Sequence, residues 1–129
     1  MTRREQFTRR FWIAAGLLGL SLGAAADGSW LKRVPDSYRQ RANPFAGQAD
    51  AAAAGARLFG DHCAGCHGAD ARGRGSRPSL HSERVQGARD GELFWLLKNG
   101  SQWRGMPTWS AMPEPSRWQI ITYIKSLGP

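Results

Sequence analysis

The sequence predicts an all-α fold. Three observations carry that expectation. No stretch alternates apolar and polar residues with the period of two that a half-buried strand requires. Near the end of the chain Trp118, Ile121, Ile124 and Leu127 recur at helical spacing. Around residues 50–60 a run of alanines, the best helix formers, leads to Leu58 and Phe59.

The first 26 residues read as an export signal. Arg3, Arg4, Arg9 and Arg10 form a positive leader, residues 11–22 are largely apolar, and Ala24-Ala25-Ala26 offers a cleavage site. The apolar run is shorter than the roughly 20 residues a membrane-spanning helix needs. Cleavage is therefore expected, and retention as an anchor is the alternative. Arg9-Arg10 loosely resembles a twin-arginine signal, but the general secretory route is favoured. The periplasm follows as the expected location, and no membrane span is expected in the mature chain.

Residues 27–49 hold Pro35, Pro44, Gly47 and several charges without an apolar period, and read as an extended arm. Trp30, Val34 and Phe45 are the residues able to pin it. The first helix is expected over 50–60, capped by Asp50. Residues 69–78, rich in Gly and Arg, read as loop. Arg89-Asp90 opens a helix over 91–99, which Asn99-Gly100 ends. Residues 101–115 form a loop holding Met106-Pro107 and Met112-Pro113, and the last helix runs over 116–127, stopped by Gly128-Pro129. One domain is expected over residues 50–129.

The chain carries a formal charge of +8, and the first 26 residues hold four Arg and one Glu, so the remainder keeps +5. This is a basic, solvated surface suited to an acidic partner. No basic cluster interleaved with aromatics and no nucleic-acid motif is present, so nucleic acid is not an expected partner.

Cys63 and Cys66 are the only cysteines, and His67 follows the second. This Cys-x-x-Cys-His string reads as a c-type haem attachment site. Two thiols on one turn can bond both vinyl groups along one ring edge, and the adjacent imidazole can reach the iron. A thioredoxin-like pair would want a βαβ setting, and a zinc site would want a second ligand pair.

With these residues the sequence resembles the class I c-type cytochromes over residues 50–129. Gly55 and Phe59 stand eight and four residues before Cys63, where that family has a small residue and an aromatic. Tyr123, Ile124 and Leu127 match the helix that crosses them. The resemblance implies helices wrapped around one covalently attached haem c. It implies Cys63 and Cys66 as attachment points, and His67 and Met106 as axial iron ligands. It implies Pro78 as the residue whose carbonyl orients His67. Met112 competes with Met106, since it too precedes a proline, and His62 or His81 would serve in a bis-histidine variant. Trp95, Trp109 and Trp118 are expected in the core or on the haem wall.

With both axial positions filled, the expected function is one-electron transfer by iron cycling between Fe(III) and Fe(II), with no catalytic residues. The expected partners are an electron donor and an acceptor, with a periplasmic dehydrogenase and a terminal oxidase as candidates. The protein is expected as a monomer or a complex subunit. The alternatives are a haem subunit of a larger dehydrogenase or oxidase complex, and a peroxidase or gas sensor with a displaceable methionine.

Overall fold

The computed structural model describes residues 28–129, so the expected signal over 1–26 lies outside the described residues. Among these residues the regular structure is helical, with two isolated bridges, Arg74 to Arg77 and Ser101 to Met106, and no strand. The order is a 3-10 turn Ser29–Arg33, α1 (Asp36–Arg39), α2 (Ala49–His62), α3 (Ala64–His67), α4 (Glu83–Gly87), α5 (Asp90–Asn99), a second 3-10 turn Gln102–Arg104 and α6 (Glu114–Leu127). None of these helices is long and apolar enough to cross a membrane.

The core is the crossing of α2 and α6. Gly55 makes it possible: a Cβ there would lie 2.0 Å from the Gln119 carbonyl oxygen. Any larger residue would push the two backbones apart. Phe59 fills the space beside the crossing, with its ring 5.3 Å from that of Tyr123. Phe59, Phe94, Ile120 and Ile121 are the largest fully buried side chains. Phe94 stacks on Trp118 at 4.0 Å between ring centroids, which joins α5 to α6. Burying such side chains stabilises the fold by roughly 1.5–3 kcal/mol each.

Helix α2 begins one residue earlier than the sequence suggests. Gln48 is its cap, and Asp50 sits in the first turn, where its charge favours the helix dipole without capping. Helix α6 likewise starts at Glu114, with Pro115 in its first turn, a position where proline loses no hydrogen bond. Helix α5 is closed by Gly100 at a positive φ of 68°, which glycine adopts freely, but its ψ of −173° is extended and so differs from the left-handed helical cap expected there.

The arm is shorter on extension and richer in contacts than its composition suggests. It folds into the first 3-10 turn and α1, and Val34 is buried. Arg39 ties it down: Nη1 meets Glu92 Oε1 at 2.6 Å, while Nε donates to the Val34 carbonyl at 3.2 Å. Asn43 is buried and donates to Asp90 at 2.9 Å and to Thr122 at 3.0 Å. Gly91 accepts the arm closely, since a Cβ there would be 1.9 Å from the Tyr38 carbonyl oxygen. These contacts carry the arm across α5 and α6 and leave its first residues beside the functional cleft.

Candidate functional site: a cleft between a helical turn and a methionine loop

One wall of the site is the end of α2 and the turn after it. The Cys63 N–H donates to Phe59 O at 2.8 Å, and those of Cys66 and His67 return to Cys63 O at 3.1 and 2.9 Å. Residues 63–67 therefore form one tight helical turn that carries both thiols and the imidazole. Cys63 is half-buried, Cys66 is exposed, and the two are not joined as a disulfide. Burial pushes the Cys63 thiol up to about 11, with the neighbouring Cys66 adding to the effect.

The glycine-rich loop that follows folds back under the imidazole. Gly73, at φ 89°, is so close to the returning strand of loop that a Cβ would be 2.4 Å from Arg77 O. That approach sets the Pro78 carbonyl where His67 Nδ1–H donates to it, at 3.3 Å. Burial pulls the His67 pKa down, opposed by the Pro78 bond and aided by the Arg77 charge. Both burial and the Arg77 charge favour the neutral ring, in which the Nδ1 proton is held by Pro78 O and the Nε2 lone pair is left for a metal.

The opposite wall is the loop after α5. Ser101 and Met106 exchange both backbone hydrogen bonds, at 2.9 and 3.0 Å, closing a hairpin around the second 3-10 turn. Gly100 packs so tightly that a Cβ would lie 2.6 Å from Pro107 O. The Trp109 N–H donates to Leu97 O at 2.8 Å, which fastens the far end of the loop to α5.

Between these walls lies a largely apolar cleft of about 310 Å³. Cys63, Cys66, His67 and Pro78 line it on one side, Met106 and Trp109 on the other. All five residues singled out as attachment, ligand and orienting groups thus border one space. Met112 does not line it, and is packed against the core instead. His81 does not line it either: its two ring nitrogens lie 3.0 Å from the carbonyl oxygens of Gly128 and Asp70. His62 is exposed but also borders the cleft, with its ring centroid 5.4 Å from that of Trp109 in an edge-on arrangement. Of the other tryptophans, Trp118 is in the core and Trp95 is half-buried on α5.

Three features of the cleft have no motif to announce them. Gly28 and Trp30 from the arm close one side. Arg77, Arg84 and Arg104 stand on its border, a set of guanidiniums suited to carboxylates such as haem propionates. Arg104 also reaches the arm, 3.4 Å from Ser29 Oγ. A flat apolar group with two thiol-reactive positions, a metal and two carboxylates fits this donor set.

The comparisons with known proteins agree with the geometry. Residues 50–124 match the family model described as cytochrome c oxidase, cbb3-type, subunit III. The chain is similar to the cbb3-type cytochrome c oxidase subunit FixP of Azorhizobium caulinodans, 28% identical over 115 residues that cover 84% of this chain and 38% of that protein. The chain thus spans well under half the length of that relative. Its fold is similar to cytochrome cL of the marine methylotroph Methylophaga aminisulfidivorans MPT, with a TM-score of 0.57 and 25% identity over 64% of this chain and 57% of that one. The family match takes in more than half of the residues, and the chain therefore belongs to the cbb3-type oxidase subunit III family of class I c-type cytochromes, electron-transfer proteins with covalently bound haem c.

Proposed function

We propose that this chain is an exported, mono-haem electron carrier with histidine–methionine ligation. One observation carries the reading: His67, from a helical turn, and Met106, from the hairpin loop after α5, border a single cleft whose edge holds both cysteines. Bound haem supplies a one-electron Fe(III)/Fe(II) couple. The residues do the rest. Cys63 and Cys66 form the two thioethers. The Pro78 carbonyl accepts the His67 Nδ1 proton, so Nε2 would be the neutral donor to the iron. Met106 supplies the sixth ligand, and histidine–methionine pairing raises the potential. With His67 and Met106 both given to the iron, the chain would hold no position open for a substrate.

In this reading residues 1–26 are a signal, residues 27–49 are the arm, and residues 50–129 are the haem domain, working in the periplasm between a donor and an acceptor. The relative's identity as an oxidase subunit supports an oxidase as the acceptor, and it favours a second reading in which the chain works inside such a complex. The packed arm supplies a surface a free carrier does not require.

A spectroelectrochemical titration of the holoprotein tests the reading. One reversible one-electron wave is expected, with no change in either spectrum on adding carbon monoxide. Carbon monoxide binding to the resting ferrous protein would replace the carrier with a gas-binding or peroxidase-like protein.

A further inference from the structure

Trp103 is 96% exposed, and among the described residues it is the large hydrophobic side chain left in solvent. An indole offers about 150–250 Å² of mostly apolar surface, so leaving it wet is costly unless something covers it. It also sits on a rigid support. The second 3-10 turn that carries it is closed by the Ser101–Met106 pair, by Arg104 N–H to Ser101 O at 2.9 Å and by Gly105 N–H to Gln102 O at 3.0 Å. Trp103 thus stands at the tip of the hairpin whose base is Met106, three residues from the proposed iron ligand. A rigid aromatic loses little entropy when it is buried by a partner.

The charges that line the cleft beside this tip are of one sign: Arg77, Arg84 and Arg104 border it, and among the described residues no Asp or Glu does. Arg77 Nη2 would lie 3.7 Å from a Cβ on Gly105, so its guanidinium adjoins the tryptophan's turn. Arg72 and Arg74 are exposed on the neighbouring loop. An exposed aromatic flanked by guanidiniums has the composition of an interface hot spot.

We propose that Trp103 is the apolar anchor of the docking face for the electron acceptor, an acidic protein surface with an apolar hollow that receives the indole. This rests on the electron-carrier reading and adds the residue that seats the partner. The arginines attract the acidic face over a distance of ~8–10 Å at physiological salt and act on association. Trp103 then holds the docked pair, with a short route from the partner through the hairpin to Met106. A protein is favoured over a lipid surface because the anchor is a single indole beside the cleft. A membrane would gain little from one side chain and would insulate the edge where electrons must cross.

The test uses the reduced holoprotein with membranes of the source organism as oxidant, and follows its oxidation over a range of concentrations. Trp103→Ala should raise the half-saturating concentration about tenfold or more. The maximal rate should stay within about twofold, and the midpoint potential and oxidation by ferricyanide should not change. Trp103→Phe should recover most of the loss. The Trp103→Ala defect should persist at high salt, whereas that of Arg72→Glu with Arg74→Glu should fade there. Wild-type behaviour of Trp103→Ala at both salts would overturn the proposal. So would an equal loss with ferricyanide, which would mark a structural effect. So would a loss of binding to protein-free anionic vesicles that accounts for the whole defect, which would assign Trp103 to lipid. Membranes that fail to oxidise the wild type while ferricyanide does would overturn the acceptor face and leave the carrier intact. Failure of both oxidants would reject the carrier reading itself.

Discussion

The two walls of the cleft are built by different means. The histidine wall is held by spacing along the chain: Cys63, Cys66 and His67 share one helical turn, and that turn continues a helix clamped at Gly55. The methionine wall is held by loop hydrogen bonds, chiefly the Ser101–Met106 pair and the Trp109 N–H to Leu97 O. A covalent grip and a helix crossing are hard to shift. A loop held by a few backbone bonds, each worth about 1 kcal/mol net, can give. The difference assigns permanence to one side of the haem and tunability to the other.

The largest effect comes from breaking the rigid wall at its chemistry. Cys63→Ala with Cys66→Ala should abolish haem staining in a denaturing gel and leave a chain with little cooperative unfolding. A domain of this size has a small core of its own and depends on the haem as an apolar body to wrap. Haem that still migrates with the double variant would refute the thioether assignment.

A second break strikes the foundation of the same wall. Gly55→Ala places a methyl into the Gln119 backbone and should destabilise the holoprotein by about 1–3 kcal/mol in a denaturant titration. Gly60→Ala, on the same helix, meets nothing within 4 Å and should stabilise by up to about 1 kcal/mol. Opposite signs at two glycines five residues apart would show that the crossing, and not helix propensity, positions the attachment turn.

A smaller effect concerns the arm, which leans on α6 through the ion pair of Arg41 with Glu114. Hydrogen bonding to Arg41 holds the Glu114 carboxyl below its ordinary value of 4.5. The folded state therefore favours the ionised form. The pair contributes above 4.5, and the contribution fades as pH falls through the lowered folded value. Glu114→Gln should melt slightly below wild type at neutral pH and match it in strong acid. Because the pair is exposed, the difference should be small and should shrink with salt. A gap that widens in acid would contradict the sign.

The rigid wall was also the legible one. Cys-x-x-Cys-His carries its geometry in its spacing, whereas Gly55, Phe59, Tyr123 and Ile124 mark the helix crossing that supports it only through likeness to a family. The methionine wall is legible through that likeness alone. The likeness favours Met106 with Met112 as its competitor, and the backbone pairing of Ser101 with Met106 holds Met106 in the hairpin that borders the cleft. Helix α4 went unread because five residues are too few to show a period, although Ser82 caps it by accepting from Val85 N–H at 3.4 Å. The arm's two short turns were invisible for the same reason. What holds them, Arg39 with Glu92 and Asn43 with Asp90 and Thr122, joins residues far apart in sequence. Trp103 drew no attention either, since exposure of a single tryptophan leaves no trace in composition.

The contrast between the walls, and the ligation it implies, come down to one absorption. The ferric holoprotein should show a weak band near the red end from sulfur-to-iron charge transfer. Measured across three proteins, the band should be present in the wild type, absent in Met106→Ala and unchanged in Met112→Ala. A band that survives Met106→Ala and disappears in Met112→Ala would contradict the account and move the sixth ligand out of the hairpin.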